Sequence, residues 1–253
     1  MLILNCVQGS EEWHKARTGC ITASMFGEIC KTVNGLNEQQ EKYVIAVKSG
    51  KSEKQAMDEA GYKAIPKAES IFKSLAGEKV GDFTNTAKQY AFKLAVERIS
   101  GELLQEDKFE TWEMRRGREL EAPARFAHEQ KIGVMVEQCG IVKTDDGLFG
   151  ASVDGLIGID GCSEYKCFVS ASSLMPILLE GDISDCKHQI QGQLWVTTKK
   201  WSDFVLYCPA LAKINKDLTI FRADRDEDFI ADMEPKLLKF NDLVNEYEAK
   251  LRK

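Results

Sequence analysis

Two carboxylates and one lysine, Asp154, Glu164 and Lys166, stand close enough in the sequence to meet on one β-hairpin. Side chains alternate along a strand, so Glu164 and Lys166 project from one face while Tyr165 projects from the other. A hairpin between Asp154 and Glu164 brings the aspartate beside the first face. Carboxylates are the hard oxygen ligands that Mg²⁺ or Mn²⁺ prefers, and a nearby lysine can orient or help deprotonate a water. The pattern therefore suggests hydrolysis of a phosphodiester.

A structural interpretation of the same residues stays open on spacing alone. Asp154 can be a turn residue, and Glu164 with Lys166 can be a charge pair on a solvent-exposed strand, which is common. Other chemistries have less support. The three His residues, at positions 14, 128 and 188, are too few and too scattered for a His-based metal site, and no G-x-S-x-G or Walker-type sequence is present.

Sequence periodicity predicts the elements that position these residues. From Gly133 to Phe168 apolar residues alternate, and Asp146-Gly147 and Asp160-Gly161 are hairpin dipeptides, so we predict an antiparallel meander. Further helices and strands are predicted at Thr84 to Ser100, Trp112 to Gln130, 183 to 199, Trp201 to Cys208 and Leu218 to Arg222. A long final helix has apolar residues every three or four positions from 230 to 251, and we expect it to pack against the body or a neighbouring subunit.

The first part of the chain carries helix-capping signals. Ser10 followed by two glutamates predicts a helix that stops near Gly19, and Thr22 or Ser24 is expected to cap a second short helix. From 36 to 77 the pattern changes to three short helices. Asn37 with Gln40 and Ser52 with Gln55 have capping-box spacing, Gly61 suits a helix C-terminus, and an apolar stripe runs through Ala68, Ile71, Phe72 and Leu75.

Composition limits the class of protein. The 253 residues carry 34 Lys and Arg against 40 Asp and Glu, a net charge of −6, so binding of nucleic acid would need a local basic groove. The longest strictly apolar run is Phe204 to Cys208, so we expect no membrane helix or signal peptide. The eight cysteines include no C-x-x-C pair, which favours reduced thiols in a cytoplasmic α/β or α+β protein.

Several blocks around these residues resemble the lambda exonuclease (YqaJ viral recombinase) family of the PD-(D/E)xK nuclease superfamily. The blocks occur in the family's order: Glu12 to Arg17, Gly19 to Ser24, Gly117 to Glu121, Ser152 to Leu156, Glu164 to Cys167 and His188 to Gln191. They cover the chain except about Leu36 to Asp82. The division expected is therefore an exonuclease core at 1–35 and 83–253 with a helical insertion at 36–82.

The resemblance implies a restriction-endonuclease-like α/β (α+β) core, with a mixed, mainly antiparallel sheet flanked by helices. It also implies an enzyme that depends on Mg²⁺, with Mn²⁺ as a substitute, and digests one strand of double-stranded DNA from its 5′ end. The 3′ single-stranded tails would serve phage-type recombination in the cytoplasm of a bacterial host. A single-strand-annealing protein is the implied partner, and a ring-shaped homo-oligomer, a trimer, is the implied assembly.

The resemblance also assigns roles to individual residues. Asp154 and Glu164 would bind the metal together with the main-chain carbonyl of Tyr165, and Lys166 would activate or position the water. Glu121 would be a further carboxylate that reaches metal-bound water, and Gln189 would lie beside the metals. Arg17 would contact the phosphate at the 5′ end, and Ser24 would be a weaker candidate for a phosphate contact. One departure from the family's signature is Val153 in the place of its proline, which supplies no ligand.

Several alternatives stay open. Gln189 and Gln193 can be the solvent-facing side of an amphipathic helix, and Arg115, Arg116 and Arg118 can be ordinary solvated charges. The insertion resembles the helix-turn-helix module of phage terminase small subunits, yet its neutral charge makes packing or protein docking as good an interpretation as DNA contact. For the whole chain, the alternatives are a structure-selective or Cas4-like endonuclease and a non-catalytic DNA-binding recombination scaffold.

Overall fold

A computed structural model describes residues 1–78, 80–104 and 111–253. The chain divides into two units. The first, here the core unit, combines Met1–Gly27 with Gln89–Lys253, and the second, the helical unit, is Glu28–Lys88. The predicted insertion, 36–82, falls inside the helical unit, and its exact limits stay a prediction.

The core unit begins with β1 (Leu2–Leu4), α1 (Glu11–Arg17) and β2 (Ile21–Thr22). The predicted cap of α1 is confirmed, because the Ser10 side chain accepts a hydrogen bond from the Trp13 N–H. A 3₁₀ turn, Ala23–Met25, then leads into α2 (Phe26–Cys30). Thr22 takes the capping position of that turn without capping it with its side chain, so the predicted capping role is wrong. Its hydroxyl lies 3.3 Å from the Ser24 hydroxyl instead.

The helical unit contains β3 (Thr32–Val33), α3 (Glu38–Lys48), α4 (Glu53–Ala60), α5 (Glu69–Leu75) and β4 (Asp82–Phe83). Both predicted capping boxes are present, and Gly61 ends α4 with a φ of 74°. The buried core of the unit comprises Tyr43, Val44, Ala46, Ala56, Ala60 and Ile71. Phe72, predicted as part of the buried stripe, is 55% exposed. The other members of the stripe follow the prediction, because Ile71 is buried and Ala68 and Leu75 pack against the same core. The prediction is wrong only for Phe72, because α5 buries Ile71 and Ser74 and leaves Phe72 at the edge of the buried face.

In the described part of the core unit, eight strands form two sheets of four. The first has the order β1-β5-β6-β2, with β5 at Ile141–Lys143 and β6 at Phe149–Ala151. The second has the order β10-β9-β8-β7. Its strands are β7 (Gly155–Ile157), β8 (Gly161–Lys166), β9 (Trp201–Tyr207) and β10 (Leu218–Asp224). Most pairings are antiparallel, but β2 with β6 and β8 with β9 are parallel.

The predicted single meander is therefore wrong in its pairing. The chain leaves the first sheet after β6 and enters the second with β7, so these consecutive strands are not neighbours. The parallel pairing of β8 with β9 needs a crossover connection, because two parallel strands cannot be joined by a tight turn. That connection contains α8 (Ala171–Met175), a π-helical turn at Pro176–Glu180 and α9 (Lys187–Thr197). The predicted mixed, mainly antiparallel α/β class is confirmed.

The remaining helices are α6 (Asn85–Ser100), which runs across the boundary between the two units, α7 (Trp112–Ile132) and α10 (Glu227–Leu251). Helix α7 packs against β8 and β9, and α10 packs against α9. The predicted final stripe is buried from Ile230 through Val244, which confirms that α10 lies against the body. No helix within residues 1–78, 80–104 and 111–253 combines the length and apolar character that crossing a membrane requires.

Candidate active site

The β7–β8 hairpin brings Asp154, Glu164 and Lys166 together. Asp154 directly precedes β7, and its N–H donates to the Ser163 carbonyl at 3.2 Å. Its carboxylate accepts a hydrogen bond of 2.7 Å from the Tyr165 N–H on β8. The Lys166 ammonium donates to Glu164 Oε1 at 2.6 Å. The meeting of these side chains on one hairpin is therefore confirmed, while their catalytic roles stay predictions.

Gly155 permits the close approach that sets Asp154 in place. A Cβ atom at this position would lie 2.0 Å from Val136 Cγ1 and 2.9 Å from Ser163 Oγ. Both contacts are far shorter than van der Waals distances, so a side chain here would force the start of β7, Val136 or Ser163 to shift. Asp154 directly precedes Gly155, so such a shift would disturb its position.

Glu164 is buried, with 4% of its surface exposed. The interpretation of Glu164 and Lys166 as a pair on a solvent-exposed strand is therefore wrong. Its Oε1 accepts from Lys166 and, at 2.6 Å, from the Gln189 amide, and its Oε2 accepts from the Gln193 amide. A buried charge needs such partners, because its desolvation is costly otherwise.

The two glutamines come from successive turns of α9. Gln189, assigned to the site by resemblance, also accepts from Lys166 Nζ at 3.3 Å. Gln193 was grouped with the solvent-facing side of this helix, and that interpretation is wrong, because Gln193 is 1% exposed. Residues at i and i+4 share one face of a helix, so the spacing from Gln189 was the signal available in the sequence.

Negative charge accumulates around Asp154. Burial raises the pKa of Asp154, and the carboxylates of Glu164 and Glu121 raise it further, against the Tyr165 N–H and the Lys166 charge. Burial also raises the pKa of Glu121, which lies on α7. For Lys166, burial lowers the pKa, but Glu164 and Asp154 outweigh it, so the side chain remains an ammonium. The three carboxylates together would be stabilised by a cation.

The donor set suits a magnesium ion. Within the described residues, no three His, Cys, Asp or Glu side chains are arranged to hold a metal by themselves. Mg²⁺ usually keeps several waters and takes only one or two carboxylates plus substrate phosphate oxygens. Asp154, Glu164 and the main-chain carbonyl of Tyr165 could meet that requirement. The pKa of Asp154 is raised first by burial and then by the neighbouring carboxylates, and a bound cation would offset the second effect.

A cavity of about 730 Å³ opens beside Asp154. Glu121 lies in its wall, flanked on α7 by Arg118 and Arg125. Trp13 and His14 of α1, with other residues near the start of the chain, form further parts of the wall. The sequence allows Arg118 to be either a DNA contact or an ordinary solvated charge, and it contains no signal that singles out Arg125. Arg115 is exposed, and Arg116 lies over the Trp112 ring at 5.5 Å, and neither lines this cavity.

Arg17 and Ser24, the predicted phosphate contacts, lie in a second polar cluster of the core unit. Arg17 donates to the Ser152 hydroxyl at 3.0 Å and to the Thr22 hydroxyl at 3.4 Å, and its guanidinium covers the Trp13 ring at 4.2 Å. Burial lowers the pKa of Arg17. Within the described residues no carboxylate forms an ion pair with it, although the charge of Glu97 acts on it at longer range.

Gly19 anchors the loop that follows Arg17. It has a φ of 69°, which a glycine adopts at little cost. Its N–H donates to Glu97 Oε2 and its carbonyl accepts from Arg98 Nε, both at 2.9 Å. Side chains of helix α6 therefore hold the main chain of this loop, and the loop leads to Thr22, which accepts a hydrogen bond from Arg17.

Comparisons with known proteins agree with this architecture. Residues 12–200 match the YqaJ-like viral recombinase domain. An alkaline exonuclease from Laribacter hongkongensis, LHK-Exo, is 26% identical, with a TM-score of 0.66 over 96% of this chain and 97% of that chain. LHK-Exo in complex with dAMP matches at the same identity and coverage with a TM-score of 0.63.

A third structure, a phage related exonuclease from Haemophilus somnus 129PT, is similar in fold alone. It is 16% identical, with a TM-score of 0.51 over 87% of this chain and 97% of that chain. A search among curated proteins gave no match.

Proposed function

The chain belongs to the family of the YqaJ-like viral recombinase domain, and we propose that it is a DNA exonuclease that hydrolyses phosphodiesters with the help of Mg²⁺. The observation that carries the proposal is the convergence of Asp154 and Glu164 with Lys166 on the β7–β8 hairpin, beside a cavity whose wall contains Glu121. The likeness to an alkaline exonuclease at 26% identity over nearly the whole chain supports it.

In this proposal, Asp154, Glu164 and the Tyr165 carbonyl hold the metal. When bound, Mg²⁺ polarises the phosphodiester and lowers the pKa of a bound water. The Lys166 ammonium, fixed by Glu164 and Gln189, donates hydrogen bonds that orient the attacking water. Glu121, in the wall of the same cavity, is proposed to accept a hydrogen bond from water there. Mn²⁺ is expected to substitute for Mg²⁺, because both favour oxygen ligands.

The cavity suits a nucleotide at the end of a DNA strand. Its volume of about 730 Å³ lies within the range of small-molecule sites, and LHK-Exo is described in complex with dAMP. Arg118 and Arg125 provide positive charge for backbone phosphates on a protein whose net charge is −6. Such contacts carry no sequence preference, which suits an enzyme that digests DNA progressively.

We further propose that digestion starts at a 5′ end, because Arg17 is equipped to recognise a terminal phosphate. A guanidinium matches a phosphate dianion with two parallel hydrogen bonds. The hydroxyls of Thr22 and Ser152 accept hydrogen bonds from Arg17, and the Ser24 hydroxyl lies 3.3 Å from that of Thr22, so these three hydroxyls offer additional donors. Ser152 precedes Asp154 by two residues, so the same stretch of chain links this cluster to the proposed metal site.

The cellular context remains a prediction. Digestion from the 5′ end leaves 3′ single-stranded tails, which a single-strand-annealing protein would use in phage-type recombination in the cytoplasm of a bacterial host. A homo-oligomer, the role of the helical unit and its division from the core likewise remain predictions.

The proposed function is tested by digestion of a linear duplex labelled at either the 5′ or the 3′ end of one strand. We expect no cleavage in EDTA, cleavage with Mg²⁺ or Mn²⁺, and release of the 5′ label as a mononucleotide before the 3′ label. Internal cuts in a covalently closed circle would instead identify an endonuclease. A protein that binds the duplex without cutting it under any metal condition would contradict the enzymatic role.

The proposed polarity is tested by Arg17→Ala on duplexes with 5′-phosphate or 5′-hydroxyl ends. We expect wild-type protein to prefer phosphorylated ends and the variant to lose that preference by about ten- to a hundredfold, which is the range for hydrogen bonds to a charged group. The ratio of initial rates on the two ends is the measurement.

Lys15→Ala is the matched control for Arg17. Lys15 is an exposed cation in the same last turn of α1 and complements the same helix dipole. We expect it to leave the preference unchanged. If Arg17→Ala also leaves it unchanged, or if wild-type protein shows no preference, Arg17 only stabilises its helix.

A further inference from the structure

A buried polar network lies behind the proposed metal site, on the opposite face of β8. His128 of α7 is fully buried, and Asp203 of β9 is 1% exposed. The two ring nitrogens of His128 face different partners: Nδ1 lies 3.1 Å from the Tyr165 hydroxyl and Nε2 lies 3.2 Å from Asp203 Oδ2. Arg222 of β10 completes the network, with Nε 2.6 Å from Asp203 Oδ1 and Nη2 3.3 Å from Oδ2.

The strand register places all the members of this network on one face of the sheet. Ser163 of β8 pairs with Asp203, and Asp203 pairs with Arg222. Because side chains alternate along a strand, Tyr165 shares the face of Asp203 and Arg222, whereas Glu164 projects to the other face. Tyr165 therefore connects the two faces of the sheet. Its hydroxyl belongs to the buried network on one face, and its main-chain N–H contacts Asp154 at the proposed metal site.

The hydrogen-bond directions follow from the charge on Asp203. Burial raises the pKa of Asp203, but the bonds from His128 and Arg222 outweigh it, so the pKa is lowered and the carboxylate stays ionised. An ionised carboxylate only accepts hydrogen bonds, so His128 Nε2 carries the hydrogen. The other ring nitrogen, Nδ1, makes the hydrogen bond with the Tyr165 hydroxyl at 3.1 Å.

Arg222 is itself held in place. Its guanidinium carbon lies 3.5 Å from the centroid of the Trp201 ring, a stacking distance. Asp203 therefore accepts hydrogen bonds from a stacked guanidinium on the β10 side and from His128 on the α7 side. The apolar cluster of Ala124, Tyr165 and Val205 excludes water from the Tyr165 side of the network.

We propose that the Arg222–Asp203–His128 network is a positioning device for the metal site, which acts by fixing Tyr165. This inference rests on the proposed function. The Tyr165 N–H holds Asp154 at 2.7 Å, and its carbonyl is the proposed main-chain ligand. Anchoring the hydroxyl at the far end of the side chain stops β8 from rotating about its own axis at this residue. His128 lies two helical turns after Glu121 on α7, so one helix positions residues on both sides of the site.

The test is Tyr165→Phe, which removes the anchoring hydroxyl and keeps the ring, the carbonyl and the N–H. Titration of Mn²⁺ into the full chain without DNA, followed by calorimetry, measures metal binding independently of catalysis. We expect the dissociation constant for Mn²⁺ to rise about tenfold, the lower end of the effect of losing a partner of a ligating residue. In DNA digestion, the Mg²⁺ concentration for half-maximal rate is expected to rise similarly, while the rate at saturating Mg²⁺ stays within about threefold.

Two controls separate positioning from general stability. Tyr207→Phe removes a hydroxyl from a tyrosine that packs against the same apolar cluster, and it is expected to bind Mn²⁺ as wild-type protein does. Val205→Ala opens a cavity in that cluster but removes no hydrogen bond of the network, and it is expected to lower the thermal midpoint but not the affinity for Mn²⁺.

Three other outcomes of these measurements would contradict either the positioning role or the proposed function. If Tyr165→Phe binds Mn²⁺ within twofold of wild-type protein, or if Val205→Ala weakens binding as much as Tyr165→Phe does, the network is only structural. If wild-type protein binds no Mn²⁺ and also digests DNA in EDTA as fast as with Mg²⁺, the metal-dependent function itself is wrong. The first two results overturn the positioning role and leave the proposed function standing.

Discussion

Asp154→Asn is expected to abolish hydrolysis, with a loss of more than about a hundredfold, while leaving the fold intact. Asparagine has nearly the same shape, and its amide oxygen can still accept the hydrogen bond from the Tyr165 N–H. The substitution removes the charge that would bind the metal. It also removes one of three neighbouring carboxylates, because Glu164 and Glu121 both act on Asp154. The metal-free protein is therefore expected to unfold at the same temperature or higher.

Nuclease assays on a labelled duplex and thermal unfolding in EDTA measure the two effects. Asp160→Asn is the matched control, since Asp160 lies near the far end of the same hairpin in an ion pair with Lys200. We expect it to keep wild-type activity. If Asp154→Asn retains a tenth of the activity, the assignment of the site to this hairpin is wrong.

Lys166→Met is expected to cause a loss of similar size, more than about a hundredfold, for a different reason. The Lys166 ammonium donates to Glu164 and Gln189 and stands where it can orient a water. Methionine keeps the length of the side chain but has no charge and no donor. The variant leaves the carboxylates without this cation, so the metal-free protein is expected to lose stability. The Lys166 side chain is 24% exposed, so the loss should stay below the 3–5 kcal/mol typical of breaking a fully buried pair.

Both substitutions are thus expected to lower the activity. For the metal-free protein, Lys166→Met is expected to lower the stability, whereas Asp154→Asn is expected to leave it unchanged or raise it. Lys200→Met is the control for the lysine, because Lys200 is exposed and its ion pair with Asp160 is superficial. We expect no change in either property there. A stabilised Lys166→Met protein would show that the cluster is not dominated by repulsion between carboxylates. Full activity of Lys166→Met would remove Lys166 from the proposed mechanism.

The sequence determined most of the local structure, because the interactions responsible lie within a few residues of one another. Ser10 caps α1, the capping boxes at Asn37 and Ser52 form, and Gly61 ends α4. Each of these helix ends is stabilised by a hydrogen bond between near neighbours in the chain, or by a backbone conformation that only glycine adopts at little cost. The same holds for the hairpin that joins Asp154 to Glu164, because alternation along a strand decides which side chains share a face. Resemblance to a family then supplied roles that spacing alone left open.

Only the tertiary structure decided how these elements combine. In the strands after Gly133, apolar and polar side chains alternate in the same way whether the strands form one meander or two sheets. The sequence therefore could not show that β6 and β7 belong to different sheets, or that β8 pairs with β9 in parallel. Nor could it show that Gln193 and His128 are buried, because a polar residue on a helix is interpreted as solvent-facing unless its partner is known. The partners are distant in the chain: Glu164 for Gln193, and Asp203 with Tyr165 for His128. Burial of a polar side chain depends on which strands and helices pack together, and no local pattern contains that information.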